Sequence, residues 1–388
     1  MAKVMTAVTV STSAVLVRGQ MQFLSENGFH PILCSSDGPE MRELADRESF
    51  QFFPIEMVRK PSPLRDMISL GHILRIIHAE RPEIVNAGTP KAGLLFMLAA
   101  FLLRRPIRIY HVRGFRHESM AGIPQKFQLA IEKICGRLAT HVICLTPSVR
   151  DLGIELGLFP RDKCHVLGPG SSGIELKRYD STRFSDKNNA TLRALMNIPD
   201  DALVLGYVGR LVPRKGIAEL VEAWASLRED YPNLHLVLVG PEEEDQPLSE
   251  QVREVLNSDS RIISVGAVDD PAPYFSIMDI FTLPAHWEGF GNVLVEAAAM
   301  GKPVVSTTGT GTRDAVKDGY NGLLVPTKDS PALDQAIRRY LESPLLREEH
   351  GRNGKSWARK FSRRAILGHL RNFYLQVLGR SSSSDNLG

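Results

Sequence analysis

At 388 residues, with 43% apolar and 23% charged content, the chain is too long for one ordinary hydrophobic core and reads as a globular protein of two domains. Its Lys and Arg lack the dense clusters with interleaved aromatics that nucleic-acid binding calls for, and four Cys without Cys-x-x-Cys spacing argue against a metal cage or a disulfide framework. The net charge of +3 is uneven: residues 1–190 carry 25 Lys and Arg against 18 Asp and Glu, so the front half is the basic one and suits an anionic substrate or lipid head groups.

The opening segment, MAKVMTAVTVSTSAVLVRG, has its apolar stretch diluted by Thr and Ser and runs into an Arg-Gly turn, so a first β-strand is expected rather than a secretory leader. Further strand-like runs at 31–36, 83–88, 107–112 and 141–146 alternate with helical patterns at 18–28 and 90–103. The longest apolar run, residues 92–103, has 12 residues, short of the ~18 that a membrane-spanning helix needs. A helical pattern with Leu70, Ile73, Leu74 and Ile77 at core spacing follows the cations Arg59, Lys60 and Arg65, and Arg104 and Arg105 end another helix. Two basic helix ends in the positive half predict peripheral attachment to an anionic membrane surface, each cation contributing about 1 kcal/mol.

A Gly- and Ser-rich stretch at 164–179 reads as a hinge, after which the strand–helix rhythm restarts: strands at 203–209, 234–240, 261–266, 279–285, 303–307 and 322–327, with helices from about 216 to 229, near 249–257 and after Asn292. Alternation of this kind implies the α/β class with two Rossmann-like parallel-sheet domains, expected at 1–175 and 176–361, facing a cleft. A helix at about 362–378 is expected to pack back on the first domain, and 379–388 to be a disordered tail. In such sheets ligands sit at the carboxyl ends of strands, which directs attention to the loops after Gly209, Gly240, Gly266, Ala285 and Thr307.

Two of those loops carry chemistry. In GYVGRLVPRKGI (206–217), Arg210 and Lys215 follow a buried strand before the next helix; Arg offers a planar fork for phosphate oxygens and Lys a point charge, although alone the loop reads better as a solvated turn. Ile217 stands where the common phosphate loop needs a hydroxyl. In HWEGFGNVLVEA (286–297), Gly289 and Gly291 permit close backbone approach to a ligand, and Asn292 lies near a helix start whose free N–H groups favour anionic or oxygen-rich ligands. Glu288 and Glu296 are each suited to accept two hydroxyls of a sugar ring; the plainer reading is a helix cap or a pair with Lys302. No Asp-x-Asp spacing occurs anywhere, and the acidic run 242-EEED-245 reads as a solvated turn.

Arg210, Lys215, the Glu288-x7-Glu296 pair and TTGTGTRDAVKDGYNGLLVP (307–326) together resemble the retaining GT-B glycosyltransferases of family four, over nearly the whole chain. The resemblance implies that Glu288 holds the donor sugar and Glu296 the ribose, while Arg210 and Lys215 take the diphosphate of a UDP-sugar; these three, Glu288, Arg210 and Lys215, are the catalytic expectation. It extends the donor site to Gly289, Phe290, Gly291, Asn292, Val293, Leu294, Gly19, Gly266 and Val268, and makes His111, Arg113, Lys91 and Arg313 candidates for acceptor or phosphate contact. No metal and no cofactor is implied beyond the donor itself. The front segments 18–41 and 88–95 resemble the branch that adds an N-acetylated hexosamine to an undecaprenyl-diphosphate-linked acceptor in bacterial capsule, O-antigen or exopolysaccharide synthesis, in the cytoplasm at the inner face of the membrane.

Three departures stand out. Arg113 occupies the place where many relatives carry a histidine, and an arginine stays protonated and is no base; the usual Gly-Gly of the first loop is reduced to Gly19; Trp287 replaces a residue that is often charged. A nucleotide-sugar epimerase of the same fold and a non-catalytic sugar-nucleotide binder are the alternatives, whereas a dinucleotide oxidoreductase is disfavoured because no G-x-G-x-x-G lies between a strand and a helix.

Overall fold

The computed structural model describes residues 1–58 and 61–380, with Arg116 described by its backbone alone. Arg59, Lys60 and all but the first two residues of the expected tail lie outside the described residues. The chain divides into two compact units: Met1–Ser172 together with the chain from Arg364 onward, and Gly173–Arg363.

The first unit is a seven-stranded sheet, β1 Ala2–Ala7, β2 Phe29–Ser35, β3 Gln51–Pro54, β4 Ile84–Gly88, β5 Ile107–Val112, β6 His141–Cys144 and β7 Cys164–Val166, in the order β3-β2-β1-β4-β5-β6-β7. Every pairing is parallel. A parallel sheet buries both faces, and side chains alternate between them along each strand. Met5 and Tyr110 accordingly join one apolar cluster with Ile73, Phe96 and Phe115, while their neighbours Val4 and Ile109 join another with Leu24, Phe29 and Tyr374.

The second unit is a six-stranded sheet, β8 Leu203–Val208, β9 Leu234–Val239, β10 Ile262–Gly266, β11 Ile280–Leu283, β12 Val304–Thr307 and β13 Gly322–Val325, ordered β10-β9-β8-β11-β12-β13 and again all parallel. Its largest fully buried side chain, Trp224, donates from Nε1 to Asp259 Oδ2 at 2.8 Å. Strand order reverses between β1 and β4 in the first sheet and between β8 and β11 in the second, and at such switch points the loops diverge and leave room for a ligand. The site loops after Gly209 and Ala285 therefore flank the second switch point.

The strands expected from sequence are present, within a few residues at their ends. Two edge strands, β3 and β7, were not expected. β3 has no fully buried residue and β7 spans only 3 residues, so neither shows the apolar pattern that reveals an interior strand. β7 also takes the start of the stretch read as a hinge, whose remainder from Gly173 belongs to the second unit.

The helix Arg363–Val377 packs in the first unit, where Tyr374 is fully buried and its hydroxyl accepts from Asn86 Nδ2 at 2.6 Å. No helix among the described residues is long and apolar enough to cross a membrane. In the helix Pro63–Glu80, Ile73 and Ile77 are buried as expected, but the turn before them leaves Leu64, Met67 and Ile68 exposed, as are Ile123 and Phe127 of the helix Gly122–Leu138.

Replacing Tyr374 by Phe strips the buried Asn86 amide of its partner. Denaturant unfolding of Tyr374→Phe should show a loss of about 1–3 kcal/mol, with little change in secondary structure by circular dichroism.

Candidate active site

The loop after β8 closes with a single turn, Pro213–Lys215, and Gly216 at φ 76°. That left-handed backbone suits glycine, and a Cβ there would come within 2.0 Å of the Pro284 carbonyl oxygen, so the loop after β8 lies directly on the loop after β11. His286 N donates to Arg214 O at 2.9 Å, which fixes their register. Lys215 is delivered buried, at 8% exposure, and its ammonium meets Glu288 Oε1. Arg214 Nη1 reaches the same carboxylate oxygen at 3.3 Å, with its guanidinium 4.7 Å over the Trp287 ring.

Arg210, the other expected cation, is turned elsewhere: its Nη1 pairs with Glu243 Oε1 at 2.5 Å. The acidic run 242–245 is thus partly paired, with Glu242 also meeting Arg253 at 3.2 Å. Both cations on Glu288 come from the end of the loop, where the turn and Gly216 aim them. Trp287 neither packs in the core nor stands free; it is the platform under Arg214.

Glu288 is further held through its backbone, whose N–H donates to Thr310 O at 2.8 Å. Gly311 lies so close behind that a Cβ there would meet the Glu288 carbonyl oxygen at 2.2 Å. Burial pushes the Glu288 carboxyl up, but Lys215 and Arg214 outweigh it and hold the group below its ordinary value. Gly291 then caps the helix Asn292–Ala299 with φ 83°, so the helix begins at Asn292. Phe290 and Leu294 turn their side chains into the core, Phe290 against Phe361 at 5.1 Å, and offer a ligand only their backbone. Lys302 is not the partner of either glutamate: its ammonium donates to Ser276 O at 3.0 Å.

Glu296 has the opposite surroundings. Burial drives its carboxyl up to about 7, opposed only in part by a hydrogen bond from the Tyr179 hydroxyl and by Arg178 and Arg363. Arg178 is itself tied to Asp270 at 2.8 Å. Tyr179 and Arg178 were missed from sequence because they fall in the stretch read as a hinge. A second pair was also missed: His286 Nε2 lies 2.7 Å from Glu219 Oε1, on the first turn of the helix Ile217–Asp230. It braces the residue two before Glu288.

The remaining candidates are dispersed. Gly266 at φ 79° accepts from Gly240 N at 2.8 Å at the end of β10, and Val268 is half-buried just beyond it. Arg313 is exposed on the short helix Thr312–Ala315. In the first unit the Gly19 N–H already donates to Glu48 Oε1 at 2.6 Å, and Lys91 pairs with Asp66 at 2.6 Å beside the first switch point. His111 and Arg113 share a pocket at the ends of β5 and β6.

Two family descriptions match the chain, "Glycosyl transferase 4-like domain" over residues 13–170 and "Glycosyl transferases group 1" over residues 188–357. The capsular polysaccharide biosynthesis glycosyltransferase CapM of Staphylococcus aureus is 36% identical over 98% of both chains. The chain belongs to the group 1 glycosyltransferases. An Escherichia coli relative named UDP-Gal:alpha-D-GlcNAc-diphosphoundecaprenol alpha-1,3-galactosyltransferase is 26% identical over 81% of this chain and 80% of its own. Among solved structures, a glycosyltransferase from Rickettsia africae superposes with a TM-score of 0.81 at 19% identity, covering 98% of this chain and 99% of that one. Anabaena HepE in complex with UDP superposes with a TM-score of 0.80 at 19% identity, covering 97% and 100%. The glycosyltransferase therefore has the GT-B architecture.

The carboxyl of Glu296 gives a signed pH effect. Because its folded value of about 7 lies above the ordinary 4.5, the folded state holds an extra proton between them, and stability falls as pH rises through that window. Thermal melts of Glu296→Gln, which keeps the shape and removes the ionisation, should match the parent at pH 5 and exceed it at pH 8.

Proposed function

We propose that this glycosyltransferase moves a sugar of the N-acetylhexosamine type from a UDP-sugar to a lipid-diphosphate-linked saccharide, with retention and without a metal, in bacterial capsule, O-antigen or exopolysaccharide synthesis. The observation that carries the reading is the convergence of Lys215 and Arg214 on Glu288 beside the start of the Asn292–Ala299 helix. A departing diphosphate needs cations and aligned N–H groups where its negative charge grows, and this loop pair supplies both. Glu288 then accepts donor-sugar hydroxyls and Glu296 the ribose hydroxyls, while the leaving phosphate oxygen takes the proton of the attacking acceptor hydroxyl. Two relatives support the acceptor class: the Escherichia coli galactosyltransferase and a Campylobacter jejuni N-acetylgalactosaminyltransferase, 25% identical over 81% of this chain, are both named for diphospho-undecaprenol acceptors.

Incubation with UDP-N-acetylhexosamines and a polyprenyl-diphosphate-linked saccharide tests this. Turnover should persist in chelator, and Lys215→Met, Arg214→Met or Glu288→Gln should each lower kcat by about 10²–10³-fold. Donor converted to its epimer without acceptor, or product formed only with added divalent metal, would count against the proposal.

An acceptor of this kind resides in a membrane, and the protein is proposed to meet it as a peripheral protein at the inner face. Support comes from Leu64, Met67 and Ile68, exposed beside Arg65, and from Ile123 and Phe127, exposed on either side of Lys126. In liposome flotation, recovery with anionic lipid should exceed recovery with neutral lipid and drop several-fold in Met67→Ser/Ile68→Ser. Equal recovery from both lipids would remove the electrostatic part of the claim.

A further inference from the structure

The stretch that reads as a hinge continues, from Ile174 to Tyr179, as a short strap within the second unit, tied down at both ends. At its start Ile174 N donates to Phe361 O at 2.8 Å, and its own carbonyl accepts from Arg363 N at 2.8 Å. Gly173 leaves no slack there, because a Cβ would meet Arg363 Cα at 2.7 Å. At the far end Arg178 Nε donates to Asp270 Oδ1 at 2.8 Å and its Nη2 to the Asp269 carbonyl at 2.5 Å, on the loop after β10. The same Asp270 oxygen accepts from Ala272 N at 3.1 Å, so Arg178 also holds the start of the helix Ala272–Ile277. From that helix Phe275 meets the Tyr179 ring edge-on, with 5.9 Å between centroids.

These ties fix where Tyr179 points. Its ring is buried, and its hydroxyl donates to Glu296. Burial pushes the proton affinity of that hydroxyl up, so it stays a donor. Glu296 itself is only half-buried, within reach of a ligand. The charges facing it are Arg178 and Arg363, which favour its ionised form, and Asp270, which opposes it. Both cations have other partners: Arg178 pairs with Asp270, and Arg363 Nη1 lies 3.6 Å from Glu175 Oε2. They act on Glu296 through space, whereas Tyr179 bonds it directly. A carboxylate has about four acceptor positions. With one taken by Tyr179, the group is held against rotation and keeps capacity for two neighbouring hydroxyls.

We propose that Tyr179 is a positioning residue of donor recognition: acting through Glu296, it makes the site choose a ribonucleoside diphosphate over its 2′-deoxy counterpart. The inference rests on the proposal above that Glu296 accepts the ribose hydroxyls. A site built to bind a hydroxyl rejects the analogue lacking it, because its polar group is then left unpaired. The ionised carboxylate is the stronger acceptor, and this one ionises near pH 7, so the preference for ribose rises as pH passes through that value. Removing the tyrosine hydroxyl takes away a bond to the ionised form, raises the carboxyl further and moves that rise to higher pH.

Calorimetric titration of UDP and of 2′-deoxy-UDP between pH 6 and pH 8.5 tests the assignment; the two ligands share their phosphates and base, so their affinity ratio isolates the ribose contact. The parent should prefer UDP by about tenfold at pH 8.5, and by less at pH 6. Tyr179→Phe, which keeps the ring, should lower the preference at pH 7 by about threefold and shift its rise upward by about half a pH unit, with Tm within a few degrees of the parent. Glu296→Gln should abolish the pH dependence of the ratio. Failure of the parent to bind UDP, or equal affinity for both nucleotides at every pH, would remove the ribose contact and the donor reading together with this proposal. A parent that shows the preference while Tyr179→Phe keeps the same ratio at every pH would overturn the role of Tyr179 alone. Equal weakening of both nucleotides in Tyr179→Phe, with the pH profile of the ratio unmoved, would overturn it as well and leave the residue a structural one.

Discussion

One carboxylate facing two cations organises the carboxyl end of the second sheet at its central strands. Glu288 sits half-buried in a loop, where its charge is tolerated because Lys215 and Arg214 neutralise it. Those cations reach it because a single turn ends in a left-handed glycine, and the turn is held by the loop that carries Glu288 itself. Charge, turn and loop are thus mutually dependent. The switch point between β8 and β11 supplies the space in which such a cluster can form, as it does for ligands across this class of sheet.

The two glutamates eight positions apart show how environment divides identical side chains. Glu288 is held ionised by its cations, whereas Glu296, one helix turn into the protein, is driven toward neutrality by burial and steadied by the Tyr179 hydroxyl. Like groups whose surroundings push them in opposite directions are a mark of functional sites.

Much of this was legible in the sequence. Strand periodicity and Gly-rich punctuation revealed two parallel sheets, and Glu-x7-Glu across a glycine turn marked the loop on which two cations converge. Pattern reading failed where partners are distant along the chain or where geometry selects among equals. GRLVPRK contains three cations, and nothing in their spacing shows that Arg214 rather than Arg210 accompanies Lys215; the turn at Pro213–Lys215 decides it. Tyr179 meets Glu296 from a stretch that looked like a linker, and Glu219 braces His286 from another helix. The exposed apolar turn at Leu64–Ile68 was hidden by the stronger core stripe behind it.

The glycine contacts around the site have a consequence for how the protein tolerates change. A methyl group on Gly216 would strike Pro284, one on Gly309 would strike His286, and one on Gly311 would strike Glu288, in every case at a main-chain oxygen. Main-chain atoms cannot swing aside as a flexible side chain can, so three neighbouring loops are interlocked like the wards of a lock. A larger residue at any of these three glycines must displace the loop that it strikes. Sequence drift toward new sugar specificity is therefore channelled away from these turns and into side chains that line the site without bearing on its frame.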